Sequence, residues 1–211
     1  YNGNLTGDTN NIDIHMMKNT EWGAVTYLSH SKYGINKEIA INSQNTYTTG
    51  CGPQSNGSTS SGSTCNAYNT ELGQTSSTTG NVYGIYDMSG GSWDQTMGNM
   101  VDSSNKFYTR NAGNWSTTTT PLAKYYDSYT YGTSNTAYTR GKLGDATVEM
   151  APIGTTGNWY SDSATFPYSY LPYFVRGGGY NDSSQVGAFH FTGSDGASGS
   201  GRTFRAVLTA D

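Results

Sequence analysis

Tyrosine is the residue type that most constrains how this chain can fold. The sequence has 18 Tyr, 6 Phe and 4 Trp, so aromatic residues make up 13% of its 211 positions. Only 12% of the residues are charged, whereas disordered chains are typically rich in charge and poor in aromatics. We therefore expect a folded protein with a core of Tyr, Trp and Phe, wrapped by loops of Ser, Thr, Asn and Gly.

The length and charge of the chain indicate a single domain and argue against nucleic-acid binding. We expect residues 1–211 to form one domain. The net charge of −4 argues against a nucleic-acid surface, which needs clustered Lys and Arg. No apolar run is long enough to cross a bilayer, so we expect no membrane insertion by this segment. Since the sequence begins at Tyr1, we also expect a leader or anchor to precede it.

The two cysteines lie in a polar excursion that spans residues 48–80. Cys51 and Cys65 are separated by QSNGSTSSGST and neighbouring residues, a stretch with nothing apolar to fix its path. A disulfide here would stabilise the fold by about 3 kcal/mol in the chain-entropy model, and it would indicate an extracellular location. Two unpaired thiols are the alternative. A zinc site is disfavoured because no further ligands stand at zinc-like spacing.

Patterning predicts one helix and several strands. We expect a helix within residues 16–34, an alternating strand within 35–47, and apolar core residues just before the SGG turn. Strands are also predicted at PYFVRGGGY, at GAFHF and at TFRAVLTA near the end of the chain. The residues behind the helix prediction are the cap candidates Asn19 and Thr20, then Glu21, Trp22, Val25, Leu28 and the stop Gly34. Those behind the other predictions are Ile39 and Ile41 for the first strand, and Val82, Ile85 and Tyr86 for the core.

Three pieces of the sequence occur together in a known order: GIYDMSGGSWD, then VRGGGY, then FRAVL. In this combination, over about residues 80–211, the chain resembles the formylglycine-generating, or sulfatase-modifying, enzyme superfamily. The resemblance implies an α+β, C-type-lectin-like fold with few helices, small twisted antiparallel sheets and long irregular loops.

Several residues in these motifs are expected to act as scaffold. Gly90 and Gly91 permit a sharp turn before Trp93 is buried. Arg176 and Arg205 follow or interrupt apolar runs, so their guanidinium groups are expected to hold carbonyls or carboxylates inside the fold. The complete predicted scaffold is Trp93, Arg176, Gly177, Gly178, Phe189, Phe191, Phe204 and Arg205.

The sequence departs from the catalytic members of that superfamily. They use paired cysteines in the C-terminal half, or histidine-based iron sites, but this chain has no cysteine after Cys65. Its three histidines, His15, His30 and His190, form no close ligand pair. We therefore predict no enzyme activity, no catalytic residues, no metal and no cofactor. A formylglycine-generating-enzyme-like oxidase or oxygenase is the alternative.

A second branch of the same fold matches the C-terminal segment better. Residues 176–208 resemble the variable region of proteins diversified by retroelements, in which adenine changes at asparagine codons never yield Lys, Glu, Met or Trp. The stretch GYNDSSQVGAFHFTGSDGASGSGRT contains none of these four residues. It interleaves permissive residues with an invariant-looking frame of Gly187, Ala188, Phe189 and Phe191, and Gln185 is interpreted as an unvaried position. An ordinary Gly/Ser-rich loop is the alternative.

The resemblance implies a non-enzymatic adhesin-type or receptor-type domain, similar to pilin-like surface proteins of human gut bacteria. It would be anchored at the cell surface and would bind an unknown protein or glycan on another cell, a phage or a host. Alternation along GAFHF predicts Phe189 and Phe191 inside, and His190 and Thr192 facing the partner. A calcium-independent lectin is a further alternative, since no EPN or QPD motif occurs. The predicted binding face is Gly179, Tyr180, Asn181, Asp182, Ser184, His190, Thr192, Ser194, Asp195, Ser198, Ser200, Arg202 and Thr203.

Overall fold

A computed structural model describes residues 12–53, 65–108, 121–148, 159–182 and 185–210 of the chain. Short strands and a few helical segments are joined there by long irregular connections. This is the mixed α+β class that was predicted, with few helices and small sheets. The elements are β1 (Ile12–Met16), α1 (Asn19–Ser29), α2 (Glu71–Gln74), β2 (Trp93–Val101), β3 (Asp127–Thr130), β4 (Tyr173–Arg176), β5 (Phe191–Ser194), β6 (Arg202–Phe204) and β7 (Ala206–Ala210). Single 3₁₀ turns lie at Ala123–Tyr125, Tyr138–Arg140 and Trp159–Ser161.

The main sheet has five strands and is built around β2. Its order is β3-β2-β4-β5, and β6 also pairs with β2. The pairs β2–β4 and β4–β5 are antiparallel, but β3 and β6 run parallel to β2. The expected antiparallel pairing is therefore found in part, and the two pairs that β3 and β6 form with β2 differ from it. Parallel pairing requires long connections between the strands, and 25 residues, 102–126, separate the end of β2 from the start of β3.

A separate two-stranded sheet joins β1 to β7 in antiparallel register, with Ile12 opposite Ala210. β7 follows β6 after a single residue, Arg205, so the predicted C-terminal strand is divided between two sheets. The carbonyl of Arg205 accepts a hydrogen bond from the backbone N–H of Met17 at 2.8 Å. The two sheets are thus joined where the strand changes partner.

The helix α1 begins and ends inside its predicted range. The Glu21 carboxylate accepts a hydrogen bond from the Lys18 backbone N–H at 2.8 Å, which makes Lys18 the N-cap. Asn19 is not the cap because its side chain is used in the core, where it donates to the Tyr129 hydroxyl and accepts from Thr96 Oγ1. Thr20 is already inside the helix.

The buried face of α1 is more polar than its apolar spacing predicted. Trp22 and Thr26 are buried, whereas Leu28 is 59% exposed. The physical reason is a shared acceptor: Trp22 Nε1 and Thr26 Oγ1 both donate to the carbonyl of Ala188, at 2.8 and 3.3 Å. These two hydrogen bonds orient the helix toward the C-terminal segment.

Two segments, residues 35–47 and residues 82–86, differ from the strand and core positions predicted for them. Residues 35–47 form no strand, and their pairing is limited to an isolated bridge between Asn42 and Gly90. Ile39 and Ile41 are nevertheless buried. Val82 and Ile85 are exposed and Tyr86 is half-buried, so this part of the core prediction was wrong. Burial is supplied by the neighbouring Met88 instead, which has no exposed surface.

Aromatic residues form a large part of the core, as the composition predicted. It is divided into two clusters, one of which packs beneath α1 and the other around β2, β4 and β5. The first contains Met17, Trp22, Ile39, Met88 and Ala188. The second contains Met100, Tyr129, Tyr138, Ala146, Ala164, Phe166, Phe174, Phe189 and Phe191.

The predicted disulfide is present. Cys51 and Cys65 are bonded, with their Cα atoms 5.1 Å apart, and the backbone N–H of Gly52 donates to the Asn66 carbonyl at 2.8 Å. The polar excursion also contains α2, so it is not purely a loop. Among the residues that the structure describes, no helix combines the length and the apolar character that crossing a bilayer requires.

Candidate functional site

Two glycine turns position the C-terminal segment on the sheet. Gly90 and Gly91 precede β2, and Gly177 and Gly178 follow β4; all four have φ near +75°, a conformation that glycine adopts without steric cost. The Gly90 N–H donates to the Gly177 carbonyl at 2.9 Å. The two motifs singled out in the sequence therefore contact each other directly, backbone to backbone.

Tyr180 follows the second glycine turn and lies next to a cleft. Its backbone N–H donates to the Gly91 carbonyl at 2.7 Å, and its ring meets that of Tyr47 edge-to-face, with centroids 5.4 Å apart. Just beyond it, the Asp182 carboxylate accepts a hydrogen bond from the Gly179 N–H at 2.8 Å. Tyr180 is thus held by its backbone, and its ring is half-buried against a second tyrosine.

The segment returns to the sheet through β6. The Gly201 carbonyl accepts a hydrogen bond from the Trp93 N–H at 2.9 Å, and β6 then pairs with the first residues of β2. The preceding loop is braced by Arg202, whose guanidinium donates to Ser194 Oγ at 2.6 Å and to the Ala197 carbonyl at 3.0 Å. Arg202 is exposed, and its side chain also holds the loop between β5 and β6 in place.

Beside Tyr180 and β6 lies a cleft of about 470 Å³. Three aromatic side chains, Tyr47, Tyr86 and Phe204, line it together with two carboxylates. Its remaining walls come from small polar residues and the backbone of the first glycine turn. The full lining is Asn42, Tyr47, Thr49, Tyr86, Asp87, Gly91, Ser92, Asp94, Thr203, Phe204 and Arg205.

Two of the residues that line this cleft, Asp94 and Arg205, form an ion pair. Arg205 Nε donates to Asp94 Oδ2 at 2.7 Å, and Arg205 Nη2 donates to the Asp87 carbonyl at 2.8 Å. Burial raises the pKa of Asp94 to about 6; the Arg205 guanidinium opposes this shift, and the Asp87 charge adds to it. The expectation that Arg205 holds a carboxylate and a carbonyl inside the fold is confirmed.

Arg176, at the end of β4, is buried between Trp22 of α1 and Phe191 of β5. It has no exposed surface, and its guanidinium carbon lies 5.7 Å from the Trp22 ring and 5.3 Å from the Phe191 ring. Its Nη2 donates to the Ala146 carbonyl at 3.4 Å. Burial lowers the pKa of Arg176 to about 10, and nearby acidic groups, foremost Asp145, oppose that shift. Arg176 thus holds one carbonyl, as expected, but its Nε and Nη1 have no hydrogen-bond partner among the residues that the structure describes.

The predicted face is divided by the fold into three classes of position. Its exposed members are Asn181, Ser198, Ser200, Arg202 and Thr203; its half-buried members are Tyr180, Asp182, Thr192 and Asp195; its buried members are Gly179, His190 and Ser194. Ser184 lies outside the described residues.

The outward orientation expected for His190 was wrong. Strand β5 starts only at Phe191, and residues 187–190 form a turn in which the His190 N–H donates to the Gly187 carbonyl at 3.0 Å. Strand alternation therefore does not apply to His190, which packs edge-on against Trp93 with ring centroids 5.0 Å apart. Burial lowers the pKa of His190 to about 4. Phe189 and Phe191 are buried as predicted.

Two predicted scaffold residues also lie differently from expectation. Phe204 is 63% exposed and lines the cleft, and the other two residues of its strand, β6, are exposed as well. Trp93 is half-buried and borders a second, smaller cleft of about 200 Å³ together with His190 and Thr192. Phe204 therefore belongs to the accessible surface and not to the frame.

Sequence reasoning missed most of the cleft wall. Tyr47 and Asn42 fall in the segment wrongly predicted as a strand, and Tyr86 was assigned to the core. Asp87 and Asp94 lie inside the GIYDMSGGSWD motif, so their position in that motif was the one available signal. Within the described residues, no group of three or more His, Cys, Asp or Glu side chains is placed to hold a metal ion.

The sequence matches no protein-family model, and no curated protein shows significant similarity to it.

Proposed function

We propose that this chain is a non-enzymatic binding domain of the adhesin or receptor type, with a C-terminal face that a retroelement diversifies. Its fold would be the formylglycine-generating-enzyme subtype of the C-type-lectin-like domain. The domain would be displayed outside the cell through an N-terminal anchor, and it would bind a protein or glycan on another surface. The Cys51–Cys65 disulfide supports an oxidising location.

One observation carries the proposal. The exposed residues Asn181, Ser198, Ser200 and Thr203 lie beside backbone groups that main-chain hydrogen bonds hold in place. These bonds run from Tyr180 N–H to Gly91 O, from Arg202 N–H to Gly199 O and from Trp93 N–H to Gly201 O. Such bonds do not depend on side-chain identity. Side chains can therefore be exchanged at these positions while the backbone stays in place, which is what a variable binding surface requires.

The contacts available on this face suit adaptable recognition. Small hydroxyl and amide side chains offer hydrogen bonds, and the rings of Tyr180, Tyr47 and Phe204 offer rigid apolar area at low entropic cost. Paratopes of antibodies combine the same two kinds of residue. We expect Tyr180 and Phe204 to supply most of the binding energy, with the polar positions setting specificity.

The decisive test is to sequence the coding locus in related strains and to search beside it for a template repeat and a reverse transcriptase gene. We expect substitutions to concentrate at Asn181, Ser198, Ser200 and Thr203 and to trace to adenines of the template. Codons for buried residues, such as Phe189 and Phe191, should be unchanged. Absence of a template repeat, or substitutions spread evenly over buried and exposed codons, would refute the diversification proposal.

Binding of the protein to a glycan array, measured with and without a chelator, distinguishes a lectin from a domain that binds proteins. Aromatic and polar residues around the cleft are also found in calcium-independent sugar sites, so this alternative shares the same surface. Binding to a defined glycan that survives chelation would identify the partner as carbohydrate. An empty array would leave a protein partner as the expected class.

A further inference from the structure

The cleft beside Tyr180 has an excess of negative charge. It is lined by the carboxylates of Asp87 and Asp94, while Arg205 is the single cationic side chain in its lining. We propose that this cleft binds a basic side chain, Lys or Arg, presented by a protein partner. The inference rests on the proposed binding function and names the chemistry that this part of the face recognises.

Asp94 is the first element of the site. The residue is 1% exposed; Oδ2 is paired with Arg205, but Oδ1 has no hydrogen-bond partner among the residues that the structure describes. Leaving a buried carboxylate oxygen without a donor is costly. A donor carried into the cleft by a ligand would remove that cost, and a charged N–H is the strongest donor available.

Asp87 is the second element and is held in a fixed position. Its Oδ1 accepts hydrogen bonds from Asn42 Nδ2 at 2.9 Å and from the Gly50 N–H at 3.1 Å. The backbone of Asp87 has φ of +60°, three residues before the first glycine pair. The negative charge of Asp87 repels that of Asp94 and contributes to the rise in the pKa of Asp94. A cation close to both carboxylates would relieve this repulsion.

The aromatic rings are the third element. Tyr47 is 40% exposed and Phe204 is 63% exposed at the cleft, and Tyr86 is oriented by a hydrogen bond from its hydroxyl to the Tyr68 carbonyl at 3.0 Å. Ring faces attract ammonium and guanidinium groups. A neutral sugar could stack on the same rings, but it would leave the two carboxylates with one guanidinium. The charge of the cleft therefore favours the basic side chain.

The proposal is tested by NMR titration of the folded protein with Nα-acetyl-lysine N-methylamide. The uncharged control is Nα-acetyl-norleucine N-methylamide, and methyl glucoside serves as the sugar probe. We expect the lysine probe to shift the amide signals of Asp87, Asp94 and Phe204, with the norleucine probe binding at least about tenfold more weakly. Methyl glucoside should leave these signals unchanged.

Two matched variants locate the effect. Asp87→Asn removes one charge, while asparagine tolerates positive φ and can still accept from Asn42 and Gly50; we expect lysine affinity to fall by about tenfold. Asp102→Asn removes the same charge from an exposed turn at the other end of β2 and should not change the affinity. Equal melting temperatures for both variants would show that folding is intact.

Three results would overturn the inference: no lysine binding, lysine binding that Asp87→Asn leaves unchanged, or binding of methyl glucoside in place of lysine. None of them would refute the proposed diversified face, which the sequencing of related strains tests independently.

Discussion

The inner half of the C-terminal segment, residues 185–194, and its outer half, residues 195–204, both contain Gly, Ser and Thr, but they have different structural roles. In the inner half, the Ala188 carbonyl receives two hydrogen bonds from α1, and the Phe189 N–H donates to Asp162 Oδ2 at 3.0 Å. The outer half is mostly exposed, and its side-chain hydrogen bonds are local, centred on Arg202. The apolar residues of the inner half mark it as structural, whereas its buried polar residues, His190 and Ser194, could not be told from accessible ones by residue type.

The largest expected difference is between two phenylalanines. Phe189 has no exposed surface and packs against Tyr27, His30 and Trp159, so Phe189→Ala should lower the free energy of unfolding by about 3–5 kcal/mol. Phe204→Ala should change it by less than about 0.5 kcal/mol. Urea unfolding followed by tryptophan fluorescence measures both. Comparable losses for the two variants would mean that the outer half is also part of the core.

Two glycines give the next largest contrast. Gly178 has φ of +75°, and a Cβ there would lie 2.1 Å from Cγ1 of Val186 in the inner half. Gly178→Ala should therefore cost about 2–4 kcal/mol in unfolding free energy, from strain and overpacking together. At Gly199, in the outer half, a Cβ would approach nothing closer than 3.8 Å, so Gly199→Ala should be neutral. A neutral Gly178→Ala would contradict the close contact between the glycine turn and Val186.

The buried carboxyl group of Asp162, which holds the inner half, is expected to have a smaller effect on stability, and one that depends on pH. Burial raises the pKa of Asp162 to about 7 from an ordinary value of 3.8. Between these values the folded state binds more protons than the unfolded state, so this residue makes stability fall as the pH rises through that window. Asp162→Asn should remove this fall, raising the free energy of unfolding at pH 8 by roughly 1–3 kcal/mol while changing it little near pH 4.

The measurement is urea unfolding of the wild type and of Asp162→Asn at both pH values. Because Asp94 and His190 titrate in both proteins, their contributions cancel in the difference. Asp102→Asn, on an exposed turn, is the matched control and should show no pH-dependent gain. A gain of equal size at pH 4 and pH 8 would mean that Asp162 acts through packing and not through its charge.

The parts of the structure that were predictable have local causes. The glycine pairs, strand β4 and the burial of Phe189 and Phe191 follow from steric demands and apolar runs within a few residues. The disulfide was predictable from cysteine spacing and a polar intervening loop. The roles of Arg176 and Arg205 could be inferred because a guanidinium within an apolar run needs acceptors inside the fold.

The parts that were missed depend on contacts between distant segments. The buried face of α1 is set by the carbonyl of Ala188, which no helical periodicity encodes. Tyr47 reaches the cleft through its contact with Tyr180, from an irregular segment whose apolar alternation resembled a strand. His190 was misplaced because β5 begins one residue later, so the alternation used to orient it did not apply.

The central claim is that the outer face can change its side chains without changing the fold, and a matched pair of four-residue exchanges tests it most directly. The outer exchange combines Asn181→Ser, Ser198→Thr, Ser200→Asn and Thr203→Ser; the inner exchange combines Gly187→Ser, Ala188→Ser, His190→Asn and Ser194→Thr. By differential scanning calorimetry, we expect the outer exchange to shift the Tm by less than about 2 °C and the inner exchange to lower it by more than about 10 °C. A large fall in Tm for the outer exchange would contradict the claim.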